Sequence, residues 1–440
     1  MTDAYLAEHA WLSGGPARQV RIEVRDGRIA SADSNAQRSP ADRYLPGLTL
    51  PGFANTHSHA FHRALRGRTH HGGDTFWTWR ERMYALAGRL DPDSYYRLAT
   101  ATYAEMALAG VCAVGEFHYL HHAPGGHQYS DPNAMGVALI EAAKAAGIRI
   151  TLLDTCYVAG GLGPQGSLPL GRLQARFGDG DADGWARRMS QLQPAPHAQV
   201  GAAIHSIRAV PRDQLSIVVA AASGRPLHVH LSEQAAENEQ CAQVYGLTPT
   251  ALLAEVGVLG ADTTAVHATH LTTADIQTLG GSRTSISMCP TTERDLADGI
   301  GPAHELRDAG APITLGSDQH AVIDLLEEAR AMEMDERLST GVRGRFTPTD
   351  LLTALTRNGQ RSLGWHDAGS ITVGARADLT TLRLDSVRTA GSEPDQVVFT
   401  AGAPDIHSVV VDGRLVVDGG RHVLGDVGRQ LVAAIDPLWA

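Results

Sequence analysis

The sequence is short of net positive charge, of paired cysteines and of long apolar runs, and each shortage closes off a class of function. With 48 acidic against 37 basic residues, the formal charge is -11, so no global attraction draws the chain to nucleic acid or to an anionic membrane surface. An anionic ligand would need local arginines. The four cysteines, Cys112, Cys156, Cys241 and Cys289, are scattered without a C-x-x-C pair, which argues against a disulfide framework and against a zinc–thiolate site. That usage suits the cytosol. Residues Met1 to Glu8 carry neither a basic n-region nor an apolar h-region, and no apolar run is long enough to span a bilayer. The expectation is a cytoplasmic protein that is neither exported nor inserted. No solenoid repeat and no low-complexity tract occurs.

What is present suffices for a large core: 440 residues, 43% of them hydrophobic, allow one big domain and a smaller one. Val20 to Val24 alternates apolar and polar residues, turns at Asp26-Gly27 and returns through Arg28 to Ala30, which predicts a hairpin. A matching pattern surrounds Asp412-Gly413, so both termini read as parts of one small β domain. Between them, helical patterns alternate with eight β-rich runs: 52–55, 111–115, 148–154, 199–204, 226–229, 264–266, 284–288 and 313–316. This order favours a (β/α)₈ barrel over an open doubly wound sheet. Two helices are delimited by an Asp-Pro start and a glycine stop, from Asp91-Pro92 to Gly110 and from Asp131-Pro132 to Gly147.

Chemistry concentrates first at Pro51-Gly52-Phe53-Ala54-Asn55-Thr56-His57-Ser58-His59. A strand running into His-x-His puts His57 and His59 on one side of the backbone. Two neutral imidazoles supply half of a four-coordinate zinc-type site, or else belong to a histidine-rich loop without metal. The other half is to be sought at the C-terminal ends of strands, where barrels gather their functional side chains. Strand five ends in His228-Val229-His230-Leu231-Ser232-Glu233, strand six in His267-Ala268-Thr269-His270 and strand eight in Gly316-Ser317-Asp318. So many ionisable groups at strand ends are hard to explain by packing, because burying them without a shared purpose costs several kcal/mol.

The segments Pro-Gly-Phe-x-Asn-x-His-Ser-His, His-x-His-x-x-Glu, His-Ala-Thr-His and Gly-Ser-Asp resemble the metal-dependent amidohydrolase superfamily in its deaminase branch. Gly369-Ser370-Ile371-Thr372-Val373-Gly374 to Leu379 is similar to that superfamily's re-entry into a small β domain. The resemblance implies a catalytic (β/α)₈ TIM barrel over residues 51–367, with a small β-sandwich domain made from 1–50 and 368–440. It further implies His57, His59, His230 and Asp318 as ligands of one divalent metal, zinc or iron. Glu233 and His267 would be the acid/base pair beside it. The metal would lower the pKa of a bound water, Asp318 and His267 would hold or accept its proton, and Glu233 would pass a proton to the leaving nitrogen. Two-metal members bridge their ions with a strand-four lysine, but the single lysine, Lys144, falls in the helix between strands two and three. A lysine-bridged pair of metals is therefore excluded.

Phe76 to Tyr84, Gly115 to His122 and Ile204 to Val210, together with His-Ser-His-Ala-Phe, resemble the N-formimidoyl-L-glutamate deiminase family of bacterial histidine degradation. This implies hydrolysis of N-formimidoyl-L-glutamate to N-formyl-L-glutamate and ammonia, by a homodimer. The substrate is a small anion with two carboxylates, and Arg80 and Arg208 can each bind one in bidentate fashion. Tyr119, His205 and Ser317 are the further implied substrate contacts, with His62 where family members often carry glutamine; both residue types can donate one hydrogen bond. Cys289 to Glu293 is only loosely similar to the family's strand-seven segment. The alternatives are a related deaminase of a purine, pyrimidine or adenosyl substrate, and a barrel that has lost its metal and its activity. His70, His71, His121, His122 and His127 read as solvated or loop-fixing. The Gly-rich stretch 157–184 reads equally as a lid or as a surface excursion.

Overall fold

The computed structural model describes residues 2–70 and 76–440. Eight strands follow one another in a single parallel sheet: β1 Phe53–Ser58, β2 Val111–His118, β3 Arg149–Cys156, β4 Ala198–Ile204, β5 Leu227–Leu231, β6 Thr263–His267, β7 Ser285–Met288 and β8 Ile313–Leu315. The sheet closes where Ser58 bridges Asp318 in parallel; the Asp318 N–H donates to the His57 carbonyl at 2.9 Å and the His59 N–H to the Asp318 carbonyl at 3.2 Å. This is the expected (β/α)₈ barrel. Its strands are buried almost throughout, as a parallel sheet covered by helices on its outer face requires.

β1 and β2 each run three residues past their expected ends, to Ser58 and His118, which makes His57 a strand residue facing the barrel interior. Helix α1 spans Phe76–Ala87 and α2 Pro92–Leu108. Asp91 caps α2 in a reciprocal box with Ser94. The next helix, α3 Ala134–Ala146, starts two residues later than Asp131-Pro132 predicts. The Asp131 carboxylate accepts the Asn133 N–H at 2.9 Å and so forms a turn before the helix rather than capping it. Gly147, at φ 78°, stops it in the left-handed region.

The terminal segments build the separate small β domain, all eight strands of which are hydrogen-bonded in one continuous sheet. Arg43–Pro51 pairs antiparallel with Leu379–Leu382 and thereby joins the two ends of the chain. Both hairpins turn as their sequences predict, with positive φ at Asp26-Gly27 and at Asp412-Gly413. Among the described residues, no helix is long and apolar enough to cross a membrane.

Candidate metal centre and substrate pocket

The C-terminal ends of β1, β5, β6 and β8 converge on one buried point. His57 lies at the end of β1 and His59 just beyond it, His230 lies near the end of β5, His267 ends β6, and Asp318 comes after β8. Asp318 Oδ1 lies 3.3 Å from His57 Nε2 and 3.4 Å from His59 Nε2, while His230 Nε2 lies 3.1 Å from His57 Nε2. Gly316 makes this approach possible, since a Cβ there would meet the His57 Cβ at 2.7 Å and the His57 nitrogen at 2.9 Å. The backbone is strained at the same places. Ser232, His267, Ala268, Asp318 and His320 all have φ between 42° and 68°, a conformation that non-glycine residues keep only where the surroundings impose it.

The inner shell is oriented from behind. His59 Nδ1 donates to the Phe117 carbonyl at 2.9 Å and His230 Nδ1 to the His205 carbonyl at 2.8 Å, which turns both Nε2 lone pairs inward. Burial pushes His57 and His230 far below the usual imidazole pKa and lowers His59 as well. Neutral rings are what metal ligation requires. No distribution of protons satisfies His57 and His230 by themselves. If His57 carries its proton on Nδ1, two lone pairs face each other across 3.1 Å; if on Nε2, its buried Nδ1 has no hydrogen-bond partner among the described residues. A cation between the rings, with the His57 proton on Nδ1, removes the repulsion of the facing lone pairs, so three imidazoles and one carboxylate fit a single divalent ion.

His267 faces this centre from the other side. Its Nε2 lies 3.7 Å from Glu233 Oε1 and 3.8 Å from Asp318 Oδ2, while its Nδ1 lies 3.4 Å from Glu293 Oε1. Burial opposes its charge, but Glu233, Glu293 and Asp318 outweigh that and push its pKa up to about 10. Burial raises Glu233. Asp318 is also buried, yet His267 and His59 hold its carboxyl below the ordinary value.

Above the centre opens a cavity of about 250 Å³. Its walls carry the two expected arginines. Arg80, on α1, donates from Nε to the Tyr84 hydroxyl at 2.6 Å and stacks on that ring. Arg208, after β4, lies with Nε 3.3 Å from Glu237 Oε2. Glu237 belongs to helix α4, Ala235–Tyr245. His62, Tyr119 and His205 also line the cavity, with His62 Nε2 3.0 Å from the Tyr119 hydroxyl. Ser317 does not line it. Successive side chains near a strand end alternate in direction, so with Asp318 turned inward Ser317 is fully buried behind it, held by the Asn55 amide at 2.7 Å and by His320 Nδ1 at 3.0 Å.

Outside the centre, His228 is tied to the Ser362 carbonyl at 3.2 Å. His121 and His122 are buried and loop-fixing, bonded to the Thr155 carbonyl at 2.9 Å and to Asp179 at 2.8 Å; His70 is exposed and bonded to Asp295. His71 lies outside the described residues. In the 157–184 stretch, Gly161–Gly163 pairs with Gly166–Leu168, and Leu162 and Leu168 line the cavity. That stretch is therefore part of the pocket wall and not a remote excursion. Sequence reasoning did not single out Glu293, Glu237 or the aromatic wall of Trp79, Tyr84, Tyr157 and Phe177. Glu293 stood in a segment flagged only as atypical, and Glu237, on the first turn of a helix that begins after Glu233, carried no local signal.

Comparison with known proteins agrees with this geometry. The model of the amidohydrolase family matches residues 48–416. The chain is 37% identical over 438 residues to a formimidoylglutamate deiminase of Pseudomonas aeruginosa, with 95% of each chain covered. It is 32% identical over 435 residues to an 8-oxoguanine deaminase of the same organism, with 94% of each covered. A crystal structure of an amidohydrolase from Brucella melitensis superposes along the whole of both chains with a TM-score of 0.93 at 31% identity.

Proposed function

The chain belongs to the amidohydrolase family, and from that premise we propose that it hydrolyses N-formimidoyl-L-glutamate to N-formyl-L-glutamate and ammonia, a step of histidine degradation. The observation that carries the reading is the presence of two arginines, Arg80 and Arg208, in the wall of the cavity that His59, His230, Glu233, His267 and Asp318 also line. A dicarboxylate matches two guanidinium groups, and a neutral nucleobase does not. The 37% identity to a formimidoylglutamate deiminase supports the same substrate.

His57, His59, His230 and Asp318 would hold one zinc-type ion, which when bound supplies Lewis-acid activation of water. The protein's own groups then manage the protons. Asp318, held ionised by its imidazole neighbours, accepts a proton from the attacking water. His267, held cationic by three carboxylates, stabilises the negative charge that develops on oxygen. Glu233, whose pKa burial raises, passes a proton to the departing nitrogen. One water is consumed, the carbon–nitrogen double bond becomes a carbonyl, and ammonia leaves.

A second reading, deamination of a purine-type substrate, draws on the aromatic wall of Trp79, Tyr119 and Phe177, which could stack a base, and on the 32% identity to an 8-oxoguanine deaminase. Ammonia release by zinc-loaded protein decides between the two. N-formimidoyl-L-glutamate should turn over far faster than N-formimidoyl-L-aspartate, guanine, 8-oxoguanine or S-adenosylhomocysteine, and Arg208→Ala should lose at least about a hundredfold in kcat/KM, as for loss of a desolvated charge pair. Preference for a purine, or an Arg208→Ala variant as active as wild type, would sink the dicarboxylate reading.

A further inference from the structure

We infer that Glu237 is a positioning residue for substrate selection, holding the Arg208 guanidinium by its Nε edge so that the two terminal nitrogens face the cavity as a carboxylate clamp. The inference rests on the dicarboxylate reading above. Glu237 sits on the first turn of α4 and is 1% exposed, and it does not line the cavity. Arg208 does line the cavity, and its side chain is 14% exposed. The ion pair that Glu237 makes among the described residues is the 3.3 Å contact from its Oε2 to Arg208 Nε. A carboxylate so deeply buried costs free energy unless a cation compensates it. Burial pushes its pKa up and Arg208 draws it back, and neither Glu237 oxygen nor Arg208 Nε completes a hydrogen bond among the described residues, so the contact between them is one of charge.

A guanidinium offers two faces to carboxylates, one formed by Nε and one terminal nitrogen, the other by both terminal nitrogens. With Glu237 lying against Nε in ionic contact and not in a hydrogen bond, the terminal pair remains for the ligand, in the parallel two-bond geometry that distinguishes a carboxylate from a neutral group. Removing Glu237 would therefore weaken binding of the ligand carboxylate through Arg208 and not by any contact of its own.

The test uses zinc-loaded protein and glutarate as the probe, titrated by calorimetry, with ammonia release from N-formimidoyl-L-glutamate measured beside it. Glu237→Leu should weaken glutarate binding about tenfold and raise KM more than it lowers kcat, while Glu237→Gln, which keeps the shape of the side chain but not its charge, should lose about threefold. In an Arg208→Ala background neither substitution should weaken binding further, because the effect acts through that arginine. If Glu237→Leu does not fold, the Glu237→Gln loss and its disappearance in the Arg208→Ala background decide the matter. Unchanged or tighter glutarate binding in the Glu237 variants, or losses that add in full to that of Arg208→Ala, would overturn the inference while leaving the dicarboxylate reading intact. Failure of wild-type protein to bind glutarate or to turn over the glutamate derivative would overturn both.

Discussion

Glu116 lies fully buried behind the His57-Ser58-His59 turn, accepting the Ser58 hydroxyl at 2.7 Å and the Ala60 N–H at 2.7 Å. Burial lifts its pKa from 4.5 to about 7. A carboxyl whose folded pKa exceeds its unfolded one binds more protons in the native state, so its stabilising effect is complete below pH 4.5 and is lost as pH rises to about 7. Glutamine copies the neutral acid: its carbonyl can accept from Ala60 and its amide can donate to Ser58, whose own proton can turn to His320. Denaturation of Glu116→Gln and wild type as a function of pH should therefore show similar stability near pH 4.5 and a widening advantage for the variant toward neutrality, of roughly 3 kcal/mol at most. Parallel curves across that range would show that Glu116 is ionised throughout.

At the scale of elements, the strands set the chemistry and the helices set how firmly it is held. Each side chain proposed for catalysis leaves the C-terminal end of a barrel strand, whereas the other polar and apolar groups of the cavity wall come from the helices and loops between strands: Arg80 from α1, Arg208 from the turn after β4, and Leu162 and Leu168 from the short hairpin in the 157–184 stretch. That hairpin is tied down by Gln174, which donates to the Tyr157 hydroxyl at 2.8 Å and to the Gly160 carbonyl at 3.1 Å. Helix α2 contributes no residue to the cavity lining. Its start depends on one side chain, Asp91, which accepts the Ser94 N–H at 2.8 Å. Asp91→Ala should thus lower stability by about 1 kcal/mol, read from a urea or thermal transition, with kcat and KM unchanged. A change in kcat/KM would mean that α2 bears on the pocket after all.

At the scale of the whole molecule, the barrel and the small β domain are fastened by a buried charge. Arg149, at the start of β3 and fully buried, binds Asp378 through both terminal nitrogens at 2.5 and 2.8 Å and stacks on Trp365. Asp378 immediately precedes the first C-terminal strand of the small domain, Leu379–Leu382. Arg149→Met would leave the Asp378 charge uncompensated and should cost about 3–5 kcal/mol, whereas pairing it with Asp378→Leu should restore much of the loss. Equal destabilisation in the single and double variants, measured by denaturant midpoint, would place the effect in packing and not in the charge.

The sequence by itself determined the eight strands, the joining of the two termini and the set of histidines and carboxylates at strand ends. Those features are local, since a period of two, an N-cap, a turn glycine and a run of metal-binding side chains are all written in neighbouring residues. The arginines of the pocket were also legible, through a motif. Only the tertiary structure decided which carboxylate serves which partner. Glu293 meets His267 and Glu237 meets Arg208 across separations of 26 and 29 residues, by contacts between segments that no local pattern connects. It also decided that Ser317 turns away from the cavity while its neighbour Asp318 turns in, because closure of β8 on β1 fixes which side of the chain faces the centre.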